Sequence, residues 1–337
     1  MSYWTENLDE DRDLARSLRP RTLAEFTGQE KVVDNLRLAV AGCRSRQEPL
    51  DHVLLCGPPG LGKTTLAQIL AQEMGSRIMS TSGPALDRPR DLVGILTRME
   101  RGDLLFLDEV HRLPRAVEEY LYAAMEDHAI DVTIDQGPAA RVVHVELQPF
   151  TLVAATTREG LLSSPFRGRF GLLERLDPYP PHHLEKILVR AATLLDTGFG
   201  GEGARELARR SRGIPRVALR FLRRARDEAQ VHGDGTIDEA VAARTLARLA
   251  IDERGLEEMD RRLLGALARA EGRPLGLKTL AAAVAEAEDT IEEVYEPYLI
   301  RLGFLEKTPK GRTITPAGRR HIGLEGRTAG GESLFDR

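Results

Sequence analysis

Eight residues constrain this chain more than any others: Gly57-Pro58-Pro59-Gly60-Leu61-Gly62-Lys63-Thr64. They fit G-x-x-x-x-G-K-[ST], a loop that wraps phosphate. They lie between an apolar run at 52–56 and an amphipathic stretch at 65–74. Strand, loop and helix in that order are what give the pattern its meaning. The glycines let successive backbone N–H groups face phosphate oxygens with no Cβ in the way, and the helix N-terminus adds a favourable dipole. Lys63 is then expected to reach the β- and γ-phosphates of a nucleoside triphosphate, and Thr64 to ligate Mg²⁺.

A sheet must surround such a loop, and the sequence supplies its strands. Residues 104–107 and 150–155, like 52–56, are short apolar runs bounded by Gly, Asp or Pro. Runs of that kind read as strands buried on both faces of a largely parallel sheet. Helical stretches such as 65–74 and 115–125 lie between them, which is an α/β layer pattern. The run Leu104-Leu105-Phe106-Leu107 ends in Asp108-Glu109. Asp108 is placed to hold Mg²⁺ through its water shell and Glu109 to orient or polarise the attacking water.

The sheet block ends at Asp177-Pro178-Tyr179-Pro180-Pro181, where three prolines in five residues cannot continue a helix or a sheet interior. The chain then reads as helical to about residue 249, with apolar spacing at 184–195 and 217–229 and a hinge at Arg254-Gly255. The last block, 256–323, gives three helical patterns and two short strands around a Lys310-Gly311 turn, followed by a loose tail at 330–337. Within the first block, Ile130, Val132 and Ile134 alternate with polar residues, and Val143, Val145 and Leu147 do so on the return. Gln136-Gly137-Pro138-Ala139-Ala140 lies between them, so an inserted β-hairpin is expected. It is either an extension of the sheet or a protruding contact arm.

Composition narrows the function classes. With 42% hydrophobic and 30% charged residues the chain can bury cores. Lys and Arg (48) against Asp and Glu (52) give −4, which excludes a uniformly basic coat, so nucleic-acid contact needs a local patch. Aromatics at 5% argue against base-stacking platforms. The cysteines Cys43 and Cys56 are too few for a disulfide scaffold or a four-cysteine zinc site. The N-terminus lacks the apolar core of a signal peptide, and no apolar run approaches the ~18 residues of a membrane span. The expectation is a cytoplasmic protein with no membrane contact. His182-His183 have no partners spaced for a metal and read as a solvated helix start.

The residues quoted above, taken with others, resemble the AAA+ ATPases and, within them, the RuvB family. The further matches are Leu18-Arg19-Pro20, Phe26-Thr27-Gly28-Gln29, Thr81-Ser82-Gly83-Pro84, Val110-His111-Arg112-Leu113, Ala124-Met125-Glu126-Asp127, Ala155-Thr156-Thr157-Arg158, Ser164-Pro165-Phe166-Arg167-Gly168-Arg169-Phe170-Gly171 and Glu296-Pro297-Tyr298-Leu299-Ile300. They run from about residue 14 to 325. The resemblance implies a large ATPase domain over 1–179 with the hairpin at 129–148, an all-helical lid over 180–252 and a winged-helix DNA-binding domain over 253–337.

It also implies roles. Thr157 resembles sensor 1, a polar group near the γ-phosphate, with Thr156 open as the alternative. Arg169 resembles an arginine finger that serves the nucleotide of the adjacent subunit, with Arg167 sharing the task. Arg216 resembles sensor 2 on the lid; the family usually has Thr where Ile214 stands. Leu18, Arg19, Tyr179 and Pro215 are similar to the adenine pocket, and Glu126, Asp127 and His128 join Gly57 to Thr65 among the nucleotide contacts. ATP and Mg²⁺ are the cofactors implied. The partners implied are duplex and four-way-junction DNA, RuvA seated on the hairpin, the resolvase RuvC, and five further copies in a homo-hexameric ring.

The C-terminal block adds its own argument. The third helical pattern, 290–302, would be the usual groove reader, yet Asp289, Glu292, Glu293 and Glu296 make its first half acidic. Arg301, Lys307, Lys310, Arg312, Arg319 and Arg320 stand against Glu306, so the wing and its flanks are expected to be basic. Lys307, Lys310 and Arg312 are the expected phosphate contacts, giving salt-sensitive binding with little sequence preference. Three functions remain open at this point: an ATP-driven branch-migration motor, a clamp-loader or protein-remodelling ATPase, and a nucleotide-gated ring that hydrolyses negligibly. Glu109 speaks against the last.

Overall fold

The computed structural model describes residues 18–134 and 141–324. They form two compact units. One runs to Asp196 and takes in Ile214–Arg216; the other holds Thr197–Gly213 and the chain from Val217 onward.

The first unit is built on a five-stranded sheet of β1 (Val53–Cys56), β2 (Ile78–Ser82), β3 (Leu104–Asp108), β6 (Thr151–Thr156) and β7 (Leu172–Arg175), in the order β2-β3-β6-β1-β7. Every pairing is parallel. β1 and β6 are buried along their whole length, as is β3 up to Leu107, which is why their sequences are continuous apolar runs. One core cluster joins Leu54, Leu105, Leu107, Leu152 and Ala154 to Val117, Leu121 and Phe166 from the covering helices. At ~1.5–3 kcal/mol for each large apolar side chain fully buried, this layer fixes the sheet and so aims its C-terminal edge. That edge carries the phosphate loop after β1, Asp108 at the end of β3 and Thr157 after β6.

β4 (Ala129–Ile134) and β5 (Arg141–Glu146) form a separate antiparallel ribbon, with Ile130 opposite Val145 and Val132 opposite Val143. Ile130 is buried and packs into the core, whereas Val143 is 40% and Val142 66% exposed. Exposure rises away from the sheet, so the ribbon is an arm and does not extend the sheet. Its expected turn at 136–140 lies outside the described residues, as do the acidic N-terminal segment and the tail.

The helix Pro181–Leu194 clusters with the sheet unit. The second unit holds the helices Gly201–Arg210 and Glu239–Arg248, the helix Pro215–His232 from Val217 onward, and a two-stranded parallel ladder of β8 (Gly198–Phe199) and β9 (Thr236–Ile237). Asp238 caps the third helix by accepting the Val241 N–H at 2.7 Å. The remainder is a winged-helix arrangement: helices Glu258–Arg269 and Leu277–Val284, a third helical segment, and the antiparallel wing β10 (Leu305–Thr308) and β11 (Gly311–Ile314). Leu263, Leu267, Leu280, Ile291, Leu299 and Ile314 share its core.

The third segment is not one uniform α-helix. Glu288–Thr290 and Glu296–Arg301 are helical, and Ile291–Tyr295 between them is a π turn. Pro297 explains it: with no N–H to give the carbonyl four residues back, and a ring that crowds it, proline is accommodated by a wider turn. No helix of the described residues is long and apolar enough to cross a membrane.

Candidate nucleotide-binding and hydrolysis site

The phosphate loop needs glycine at positions where the backbone turns left-handed. Gly57, Gly60 and Gly62 have φ of 138°, 82° and 109°. At Gly60 a Cβ would also lie 2.8 Å from the Ile214 methyl and 3.0 Å from Arg216 Cβ. The Arg216 N–H donates to the Gly60 carbonyl at 3.4 Å. Residues 214–216 thus abut the phosphate loop, and Ile214 supplies an apolar wall.

Lys63 opens the helix Lys63–Met74 and is only 7% exposed. Its ammonium donates to the Gly57 carbonyl at 2.6 Å and the Pro58 carbonyl at 2.8 Å. Burial pulls its pKa down to about 8, against the opposing pull of the nearby Asp108 carboxylate. The cation is therefore held dry by neutral acceptors, a state that an arriving phosphate relieves. Asp108 ends β3 and its Oδ1 accepts the Glu109 N–H at 3.0 Å. Glu109 is left-handed at φ 50°, and its carboxylate accepts from Arg112 at 3.1 Å. The Thr64 hydroxyl and Asp108 carboxylate are hard oxygen donors of the kind Mg²⁺ takes, so the residues present fit that ion.

Thr156 and Thr157 are told apart by their surroundings. Thr156 is fully buried; its hydroxyl bonds the His111 ring at 3.0 Å and accepts the Arg158 N–H at 3.0 Å. Its carbonyl accepts from Gly57 N at 3.1 Å. Thr156 fastens β6 to the loop, and Thr157 beside it is half-exposed. The same contact gives His111 its role as a brace.

Tyr179, Leu18 and Arg19, expected around adenine, are each held by further contacts. Tyr179 is buried, its hydroxyl donating to the Leu61 carbonyl at 3.2 Å. Burial holds its phenol well above the ordinary range. Three residues that were not among the expected contacts lie beside these. Phe26 would lie 3.1 Å from a Cβ on Gly62. Gln29 donates to the Asp177 carbonyl at 2.6 Å. Arg190 donates to the carbonyls of Leu18 at 3.1 Å and Arg19 at 3.4 Å. Arg19 itself reaches Gln68 at 3.1 Å. His183, expected in solvent, turns inward to pair with Glu30 at 3.2 Å.

The remaining expected contacts gather in two clusters of their own. Arg169 donates to the Tyr122 hydroxyl and the Glu126 carboxylate, its guanidinium 4.6 Å from the Tyr122 ring centre. Asp127 and His128 follow at the end of the helix Arg115–Asp127, where His128 is the left-handed cap. Arg167 lies 3.9 Å from Glu159, which also takes Arg175 at 2.5 Å. Cys56 is core: burial, with the Glu159 carboxylate nearby, pushes its thiol up to about 12.

The wing, in the other unit, differs from expectation. Arg312 is bonded to Glu296 at 2.5 Å and Glu292 at 2.9 Å, and Lys307 lies 2.8 Å from Glu296 and 3.2 Å from Glu292. The side chain of Glu296 is 1% exposed. A wing carrying all its basic charge outward is not what forms, because the acidic helix face turns its carboxylates onto the wing. Lys310 at the turn is exposed.

Comparison with known proteins agrees with this layout. The model of the RuvB Holliday junction DNA helicase P-loop domain matches residues 18–176, that of the RuvB AAA lid domain 179–252, and that of the RuvB C-terminal winged-helix domain 253–323. The chain is 56% identical over 320 residues to the Holliday junction branch migration complex subunit RuvB of Chlorobaculum tepidum, covering 95% of this chain and 93% of the relative. With that of Salinibacter ruber it shares 54% over 327 residues, 97% and 95% of the two chains. The RuvB branch migration motor of Thermotoga maritima superposes with a TM-score of 0.85 at 47% identity, over 92% of this chain and 99% of that one. A P-loop sheet domain, helical lid segment and winged helix in this order, matched end to end by one set of models, place the chain in the RuvB family of AAA+ ATPases.

Proposed function

We propose that this chain is the ATP-hydrolysing motor that drives branch migration of four-way DNA junctions in recombination and repair. It acts in the cytoplasm as a six-membered ring with RuvA, and RuvC as a further partner. The observation that carries the reading is the contact of residues 214–216 with Gly60, which links the phosphate loop to the chain that enters the lid.

The residues have distinct tasks. Lys63 exchanges two neutral carbonyls for the β- and γ-phosphates, regaining the stabilisation its burial withholds. Thr64 and Asp108 hold Mg²⁺, which neutralises phosphate charge when bound. Glu109, released from Arg112, orients the attacking water. Thr157 and Arg216 face the γ-phosphate of the same subunit. Arg169, with Arg167, Glu126, Asp127 and His128, faces the nucleotide of the next subunit, so hydrolysis needs a neighbour. Leu18, Arg19, Tyr179 and Pro215 enclose the adenine.

Residues 1–179, 180–252 and 253–337 serve as ATPase, lid and DNA-binding domains. The exposed Val142 and Val143 of the arm are the apolar surface for RuvA. On the wing, Lys310 meets the DNA backbone directly, Lys307 stands at the edge of the contact, and Arg312 acts through the Glu292–Glu296 pair it shares with Lys307. Dissociation of a synthetic four-way junction with ATP, with and without RuvA, tests the reading. Mixing a Lys63→Ala subunit with an Arg169→Ala subunit tests the shared site: turnover above either parent is expected, and none above them would remove Arg169 from the neighbour's site.

A further inference from the structure

Four residues before Arg216 stands another arginine with no part in phosphate binding. Arg212 is buried, with 5% of its side chain exposed, and is left-handed at φ 59° beside Gly213 at φ 77°. A non-glycine residue keeps that backbone only where its surroundings over-determine it. The surroundings here belong to the winged-helix segment. Arg212 Nε donates to the Gly255 carbonyl at 2.7 Å. Its two Nη groups straddle the Asp260 carboxylate at 2.5 and 3.4 Å, and Asp260 is 0% exposed. Its guanidinium lies 5.0 Å from the Tyr298 ring centre.

The main chain is held from the other side. Arg301 donates to the Arg212 carbonyl, and Gly255, at φ 75°, packs so close to the Arg210 carbonyl that a Cβ has no room. Arg220, one helical turn beyond Arg216, bonds Glu257 at 2.7 Å. Lid and winged helix are thus fastened within one compact unit. The segment doing it, Arg212-Gly213-Ile214-Pro215-Arg216, is also where the chain crosses to the unit holding the phosphate loop and back.

We propose that Arg212 is a positioning residue for the motor: clamped by Asp260 and the Gly255 carbonyl, it makes the lid and the winged helix one lever whose free end is Arg216. Displacement of residues 214–216 by the nucleotide then reaches the DNA-binding domain through four covalent links and a buried, bidentate ion pair. Bidentate arginine suits this, because the planar fork fixes orientation as well as distance. The inference rests on the reading that Arg216 faces the nucleotide.

The readout is coupling: junctions dissociated per ATP hydrolysed by the full ring with RuvA. Arg212→Gln is expected to keep basal ATP turnover while coupling falls about tenfold. Asp260→Asn should act in the same direction, and the double variant should lose no more than the worse single, since both remove one interaction. A merely structural role would lower both rates together through loss of folded protein and leave the ratio unchanged. If Arg212→Gln does not fold, Arg301→Gln, which removes only the bond to the Arg212 carbonyl, carries the test with a smaller drop in coupling. Wild-type coupling in the folded variants overturns the inference. Arg216→Ala separates the premise: unaltered ATP affinity and turnover there would refute the sensing role, whereas lost turnover with normal coupling in Arg212→Gln would refute the lever alone.

Discussion

Lys63 in the phosphate loop and Arg312 in the wing are both cations on a surface expected to meet phosphate, but the groups around them differ in kind. Lys63 donates its hydrogen bonds to neutral carbonyls, and burial keeps its proton affinity low against the weaker pull of the nearby Asp108 carboxylate. Arg312 is bonded to two carboxylates, and those hydrogen bonds, Glu296 first, raise its pKa. A cation held by neutral acceptors can be surrendered to an anion at small cost, because carbonyls left behind are satisfied by water or small shifts. A cation drawn off a carboxylate that is 1% exposed leaves a buried charge with fewer partners, here Glu296 with Lys307 alone. The two sites teach that the number of basic residues in a segment is not the charge it offers to a ligand.

The comparison can be broken in four places. The largest effect belongs to Lys63→Ala, which is expected to reduce ATP turnover by at least ~10²-fold, because no other group on the loop supplies the charge developed on the transferred phosphoryl. The melting temperature should hold or rise, since a dry cation has been removed; steady-state hydrolysis and a thermal melt check both. Arg312→Ala is the opposite case. It should cost about 2 kcal/mol of stability in the winged-helix segment, the loss of charged hydrogen bonds to a buried carboxylate that keeps only Lys307. A normal urea transition with reduced DNA affinity would show instead that Arg312 is an ordinary phosphate contact. Lys310→Ala should leave the urea transition in place and lower the log–log salt slope of DNA binding by about one.

How far the sequence could be read follows the same physics. β1, β3 and β6 lie within one or two residues of their expected positions, because a strand buried on both faces has few alternatives to a continuous apolar run. β2 was not expected: it is Ile-Met-Ser-Thr-Ser at the sheet edge, half-covered, and its polar sequence carries no strand signal. The phosphate loop and both Walker acids are legible because they are contiguous. The partners of Arg169 and Arg212, 43 and 48 residues away, are set by tertiary packing and have no local sign. The neutralised wing did have one. Glu292 and Glu296 are one helical turn apart, and Lys307 and Arg312 are opposed across the two strands of the wing, so each pair shares a face and the faces complement.

The smallest effect concerns the start of β1. His52 is held, like Lys63, by neutral groups: it accepts the Leu152 N–H on Nδ1 at 2.9 Å, and its Nε2 faces the Met125 carbonyl at 3.5 Å. Its ring lies 5.5 Å from that of Phe150. Burial lowers its pKa below the ordinary 6.5. Above pH 6.5 the histidine is neutral both folded and unfolded, and stability does not depend on it. Between 6.5 and the lowered value the unfolded chain takes up a proton that the fold refuses, so stability falls as pH falls; below the lowered value both states are charged and the loss levels off. His52→Gln should flatten that slope while leaving the unit folded. Denaturant unfolding of both proteins at intervals from pH 7.5 to about 5 decides it. The wing gives the control, since Arg312 stays charged throughout this range: the sheet unit should weaken on mild acidification first. An acid slope that persists unchanged in His52→Gln would place its origin in another group and separate His52 from the neutral-partner logic that governs Lys63.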